Sequence, residues 1–303
     1  MSTAAYGTNT AFVNGASAAG EYAYDVNGNL TKDLNKGIAD IQYNVLNLPS
    51  TVSFSDGSTI TYTYGADGTK LRTVHKIGST TTTTDYCGNV IYENGTQKLL
   101  LTEEGYINLA GTQQYHYYLK DHQGNNRVVI NQSGTVEETN HYYPFGGVFG
   151  TTGNTQPYKY NGKEFDNKKG LNWYDYGARH YDTALGRFTT NDRFAEKYYS
   201  MSPYQYGANS PVVNIDVNGD SIRICTETQS FGHTWISVGE GSNMTVYSYG
   251  RYNGTNKGPD RSSNSLGNGS GVLLKLMGDE AKAYNDKKSS WWNVCICSNR
   301  CGR

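Results

Sequence analysis

The 303-residue sequence predicts a mainly β chain: a long ribbon of antiparallel hairpins, followed by a small, incomplete α+β domain. Three observations lead there. The composition sets 27 Tyr and 36 Gly against 6 Pro, a balance that suits pleated surfaces and turns. Tyr24, Tyr43, Tyr64, Tyr86 and Tyr106 recur at roughly twenty-residue intervals, the mark of a repeat architecture in which each unit buries its face against its neighbours. Several units then run into an Asn-Gly or Asp-Gly pair, which supplies the positive φ angles that tight hairpins require.

Taken in order, the units read Tyr24-Asp25-Val26-Asn27-Gly28-Asn29-Leu30, then Tyr64-Gly65-Ala66-Asp67-Gly68-Thr69, then Tyr118 through Asp121-His122-Gln123-Gly124-Asn125. The tyrosines are placed at strand ends and His122 in a turn. Ile60-Thr61-Tyr62-Thr63-Tyr64 alternates with period two, and Arg127-Val128-Val129-Ile130 reads as a short buried strand. No helix of ordinary length is needed before Asn191. Such a ribbon twists, and its first strands leave an edge to be paired. Packing and turn formation account for the tyrosines and glycines, with stacking of aromatic faces on carbohydrate as the other use.

From Tyr160 the sequence is YNGKEFDNKKGLNWYDYGARHYDTALGRFTTNDRF, then YQYGANSPVVNIDVNGD to Asp220. In order and spacing this resembles the RHS repeat-associated core, the closing segment of the bacterial RHS/YD-repeat family. The resemblance implies a β-shell that encloses a variable C-terminal domain, in that family usually a toxin used in bacterial competition. It divides the chain into a YD-repeat array (1–150), the core segment (151–220) and a C-terminal cargo (221–303), with the array forming a partial RHS shell and the chain the C-terminal piece of a larger ancestral protein. The implied partners are the N-terminal remainder of the shell and a cognate immunity protein, and the implied location is secreted or at the cell surface.

In many members of that family the core segment also cleaves the chain, through a pair of aspartates. The matching positions are Asp192 and Asp216: two carboxylates brought close do not both ionise easily, so one stays an acid while the other activates water. The sequence departs from the family pattern at Arg193 and Val217, where proline is expected, and at Asp220, where leucine is expected. Cleavage near Asp220/Ser221 therefore stands beside a plainer reading, in which Asp216 through Gly219 form an Asx-type turn. Arg179 and Arg187 are read as buried partners of scaffold carboxylates or carbonyls.

A net charge of -1 with 17% charged residues excludes a basic nucleic-acid surface. No apolar run is long enough for a membrane span, and no signal peptide is visible in the first thirty residues. The 5 Cys are an odd number, with Cys295, Cys297 and Cys301 crowded at the end, which fits neither a disulfide framework nor a four-ligand zinc site. No cofactor or metal is expected.

Beyond Asp220 the sequence predicts strands at Ser221–Cys225, Gly232–Gly239 and Thr245–Tyr252, then a strand GVLLKL and a helix start at Gly278-Asp279-Glu280, acidic as a helix N-terminus favours. His233, set between glycine and an apolar strand, resembles the histidine of circularly permuted papain-like folds and is the candidate base. Cys225, in a strand, reads as an inert thiol. The tail after Ser290 breaks the pattern and suggests a frame change, leaving the nucleophile beyond the chain. The leading reading is thus a toxin-family fragment with an inactive cargo. Two alternatives remain: an active papain-like hydrolase or acyltransferase, and a noncatalytic carbohydrate-binding or surface repeat protein.

Overall fold

The computed structural model describes residues 14–197, 199–220 and, beyond them, 223–226, 234–238, 245–250, 272–279 and 282–283. Two compact units divide the chain: one runs to Asp192 and resumes over Pro203–Gly219, the other holds Arg193–Ser202 and the residues from Asp220 on.

The first unit is built on a 14-stranded antiparallel sheet between Tyr22 and Thr152, in which every strand pairs with its neighbours in sequence. One loop design recurs along it. In the loops 25–29, 44–48, 54–58, 65–69, 121–125, 131–135 and 143–147, the first residue's N–H donates to the fifth residue's carbonyl, and the fourth residue's N–H donates back to the first residue's carbonyl. This is a type I turn closed by a left-handed residue, the three-residue hairpin loop. The fourth position is Gly28, Asn47, Gly57, Gly68, Gly124, Gly134 or Gly146, all at positive φ. Where Asp or Asn comes first, its side chain completes the loop. Asp25 Oδ1 accepts from the N–H groups of Asn27 and Asn29, and Asp121 Oδ1 from those of Gln123 and Asn125. Asn44 and Asn131 do the same.

The tyrosine before the loop has its own task. Tyr43 Oη donates to the Leu30 carbonyl at 2.7 Å, Tyr64 Oη to Pro49 at 3.1 Å, and Tyr142 Oη to Asn126 at 2.8 Å. Each acceptor is the residue directly after an earlier loop, where the bulge displaces the carbonyl from the regular ladder. Burial pushes these three hydroxyls up, so each keeps the proton it donates. The spacing of the tyrosines is thus the spacing at which one hairpin locks the one before it. Between Lys70 and Asn108 the design lapses: Gly78, Gly88 and the Asn94-Gly95 pair close shorter turns. Tyr106 accordingly lies inside the strand Gly105–Asn108, fully buried, and not at a strand end before a turn.

Residues 156–192 and 203–219 form the rest of the unit and carry a four-stranded antiparallel sheet (Glu164–Asp166, Trp173–Asp175, His180–Asp182, Arg187–Phe188), with a 3-10 turn, Lys168–Gly170, between its first two strands. As expected, no α-helix occurs before Asn191 among the described residues. Leu171 and Trp173 fill a core with Leu30, Ile38, Ile41, Val52, Phe54 and Ile60 of the ribbon. An aromatic core of Tyr160, Phe165, Tyr174, Tyr176, Tyr181, Phe188 and Tyr206 packs on Val148.

The second unit contains an antiparallel sheet of Arg223–Thr226, Thr234–Val238, Thr245–Gly250 and Val272–Met277, paired in that order. Helical residues follow at Gly278 and Asp279. The expected strands and helix start are therefore present. Arg193 forms an ion pair with Asp220 in this unit. His233, Cys295, Cys297 and Cys301 lie outside the described residues. Among the described residues no helix is long and apolar enough to cross a membrane, and no group of three or more His, Cys, Asp or Glu is placed to hold a metal ion.

Candidate functional site

Residues 156–219 grip the ribbon at its loops, and the gripping side chains are those of the motifs quoted above. At the first loop, Tyr204 Oη donates to the Gly28 carbonyl at 2.6 Å, Asn191 Nδ2 to Asn27 at 2.8 Å, and the Leu30 N–H to Thr189 at 2.9 Å. A Cβ on Gly28 would fall 2.1 Å from Asn191 Nδ2 and 2.7 Å from the Tyr204 hydroxyl, so a larger residue there displaces both gripping side chains. At the 121–125 loop, Asn161 takes over. Its N–H donates to Asn125 Oδ1, its Nδ2 to the Gln123 carbonyl, and its Oδ1 accepts from both Tyr176 and Tyr206 hydroxyls at 2.6 Å. At the last loop, three consecutive carbonyls are each capped by a hydroxyl: Pro144 by Tyr160, Phe145 by Tyr181 and Gly146 by Tyr174. The Tyr-Pro-Phe-Gly-Gly turn and the tyrosines of the core segment are two halves of one contact. Gln123 Nε2 further donates to the Pro211 carbonyl, and His122 Nε2 stands 3.4 Å from the Val212 carbonyl, the turn role expected of it.

Buried charges add to the grip. Lys36 reaches the Leu171 carbonyl and Asp182. Lys70 lies between Glu164 and Asp175 at 2.8 and 2.6 Å. Glu138, wholly buried, accepts from Lys159, Asn140, Gln156 and Thr155. Burial works against the Glu138 charge, but Lys159 and these hydrogen bonds outweigh it and hold the carboxyl below its ordinary value.

The sequence candidates Asp192 and Asp216 come together on Arg179. Its Nη2 is 3.0 Å from Asp192 Oδ2 and 3.9 Å from Asp216 Oδ2. Its Nε donates to the Gly219 carbonyl at 2.5 Å, its Nη1 to the Pro203 carbonyl at 3.1 Å, and its plane covers Phe188 at 3.8 Å. Asp216 Oδ1 accepts from the Asn218 and Gly219 N–H groups, so the Asx-type turn is also present. Burial pushes the Asp216 carboxyl up to about 7, with Arg179 and the two N–H groups opposing and the Asp192 charge adding to the rise. Arg179 is thus the buried partner that was expected. Arg187 is not: it is exposed, because it lies on the outer face of the two-residue strand whose inner side chain is Phe188. The hydroxyl contacts and Asn161 escaped sequence reasoning, although the positions were quoted in the motif. Nothing local in a sequence says which distant carbonyl a tyrosine will reach.

No family model matches the chain. It is similar to Salivary gland surface protein 1 of Aedes aegypti, at 34% identity over 224 residues, which is 65% of this chain and 6% of that protein. Among solved structures it is similar to the crystal structure of TcdB2-TccC3-TEV, with a TM-score of 0.56 and 20% identity over 65% of this chain and 11% of that one. A Photorhabdus luminescens Tc holotoxin pore with an aspartate-to-alanine mutation in TccC3 gives a TM-score of 0.55 and 19% identity over 65% of this chain and 10% of that one. The chain spans about a tenth or less of these relatives. The structural likeness shows the fold, an RHS-like shell fold in the mainly β class that the sequence predicts.

Proposed function

We propose that the chain is a section of an RHS-type toxin scaffold, in which residues 1–150 form shell wall, residues 151–220 close it, and residues 221–303 are the cargo. The observation that supports this is the triple grip: one segment bonds to the first loop, the 121–125 loop and the last loop of a 14-stranded ribbon. A segment so placed fixes the curvature of the wall, which is what closing a shell requires. The remainder of the shell, an immunity protein and an extracellular site of action follow as parts of the same proposal. A protease site inserted between Gly219 and Asp220 tests it. Both pieces co-elute after cleavage if the scaffold retains its cargo, and separate elution overturns the reading.

A second reading, self-cleavage, draws on the Arg179 cluster. Asp216, whose carboxyl burial pushes up to about 7, is the acid, and Asp192 is the base that draws a proton from water. The water attacks the Gly219 carbonyl, which Arg179 Nε polarises and which lies one bond before the Asp220/Ser221 position that the family pattern marks, and the Asp220 amine leaves with the proton of Asp216. Intact-mass measurement decides it. The wild type yields a fragment ending at Gly219 and Asp216→Asn does not; an uncleaved wild type leaves Asp216 as a turn residue. The papain-like reading rests on His233 and is tested by loss of toxicity in His233→Ala.

A further inference from the structure

One face of the ribbon is apolar and open. In the strand Gln114–Lys120, His116 and Tyr118 turn toward the core, where His116 stacks on Tyr106. Tyr115, Tyr117 and Leu119 alternate onto the opposite face and are 51, 42 and 51% exposed. The register carries this face sideways: Tyr117 lies opposite Ile130, Leu119 opposite Val128, and Ile130 opposite Val136, which is 55% exposed. Val129, between Val128 and Ile130, is wholly buried on the core side. Other strands of the ribbon present polar groups away from the core. Thr59–Tyr64 buries Ile60 and Tyr62 and turns out Thr59, Thr61 and Thr63. A strand apolar on both faces has the pattern of one covered on both, and a contiguous apolar patch marks a contact surface.

We propose that two copies of the chain pair through this face, sheet against sheet, about a two-fold axis that runs along the strand Gln114–Lys120. The charges at the rim select a second copy as the occupant. Glu103 and Glu104, both exposed, lie in the bend before the strand Gly105–Asn108, beside the Lys120 end of the tyrosine strand, where the Tyr118 N–H donates to the Glu104 carbonyl at 2.8 Å. Arg127 lies at the same end on the other side, because Asn126 pairs with Lys120. Among the described residues none of these three side chains has an ion-pair partner; Arg127 touches only His141 Nδ1, at 3.4 Å, and the Tyr142 ring. The neighbouring charges are engaged or turned away: Glu137 meets His116, Lys98 meets Glu93, and Lys120 lies over the Tyr118 ring on the core side. A two-fold axis along the strand keeps like ends together and exchanges the sides, so Glu103 and Glu104 of each copy meet Arg127 of the other. At the opposite end, residues 111–113 and 132–135 carry no charge, and nothing there opposes the approach. Aligned strands are also the arrangement in which sheet faces pack, about 10 Å apart.

The pairing rests on neither the shell reading nor the self-cleavage reading. Its test is the mass of the full chain in solution, by light scattering and sedimentation, at concentrations up to about 100 µM, well above the micromolar dissociation constants at the weak end of standard interfaces. A concentration-dependent rise to twice the chain mass is expected. Tyr117→Lys, at an exposed position, keeps the circular dichroism spectrum and weakens the dimer more than about tenfold. Glu104→Arg and Arg127→Glu each weaken it roughly three- to tenfold, and the two together in one chain restore it, because the exchanged charges still meet across the axis. A mass that stays at one chain throughout overturns the proposal and leaves the face to a different protein or a glycan. A dimer that survives Tyr117→Lys, or a double variant that does not recover, overturns it as well and puts the contact elsewhere.

Discussion

The ribbon of residues 22–152 and the segment of residues 156–219 solve the same problem, unsatisfied backbone at hairpin bends, by opposite means. In the ribbon the loops that begin with Asp25, Asn44, Asp121 and Asn131 are finished by that first side chain, and three of them have the bulged carbonyl that follows capped by a tyrosine 13 to 16 residues further on. In residues 156–219 the partners are remote: Tyr204 reaches Gly28 across 176 residues, and Lys36 reaches Asp182 across 146. Local satisfaction produces a ribbon of indefinite curvature. Remote satisfaction picks one curvature, because all three loops must be in place at once. The remote contacts are also the ones that bury charge, so their loss exposes or strands ions and not merely dipoles.

The comparison is broken most severely at Arg179. Arg179→Ala leaves Asp192, Asp216 and the carbonyls of Pro203 and Gly219 without their shared cation, and a loss of about 3–5 kcal/mol is expected from urea unfolding. A smaller loss would mean that the cluster is better solvated than its burial implies.

Next comes pH. The folded carboxyl of Asp216 sits near 7, above its unfolded value of 3.8, so the folded state holds the proton longer. Its contribution to stability is fully present below about pH 4 and is lost as pH rises through about 7, by at most about 4 kcal/mol. Asp175, pulled below its ordinary value by Lys70 and His180 despite burial, has the opposite sign and loses its contribution as pH falls. Unfolding midpoints across this range should therefore fall less steeply toward neutral pH in Asp216→Asn than in the wild type. Equal slopes would remove Asp216 from the titration.

Asn161→Ala deletes the junction between the 121–125 loop and the Tyr176–Tyr206 pair, and forces alanine into φ 50°. About 2–3 kcal/mol is expected, with faster hydrogen exchange both at residues 121–125 and around Tyr206. Tyr43→Phe is the ribbon counterpart: about 1 kcal/mol, with faster exchange confined to the hairpins it joins, near Leu30 and Asn44. Exchange that spreads equally far in both variants would erase the distinction between local and remote satisfaction.

The ribbon was legible because its determinants are close in sequence. Asp25 and Asn29, or Asp121 and Asn125, announce a loop within five residues, and Ile60–Tyr64 announces its pleat by alternation. The strands from Lys70 to Asn108 were read less well, since Tyr86 and Tyr106 keep the period while the turns beside them change type. Of the site, Asp192 and Asp216 were found by motif and do share a guanidinium, whereas Arg187 was misplaced because a two-residue strand gives too little alternation to tell its faces apart. Residues 127–130 read as a buried strand, but only Val129 is fully covered, since an apolar run does not say whether its second cover comes from the same chain.

The tyrosine lock has a consequence for how such a chain can change over generations. Each lock refers only to the hairpin before it, so duplicating or deleting one whole loop-to-lock interval leaves every other hydroxyl with its carbonyl. A gain or loss of half an interval strands one. Ribbon length is therefore free to drift in whole steps, while residues 156–219, which must find a first loop, a last loop and one near the last, are held to their composition whatever lies between.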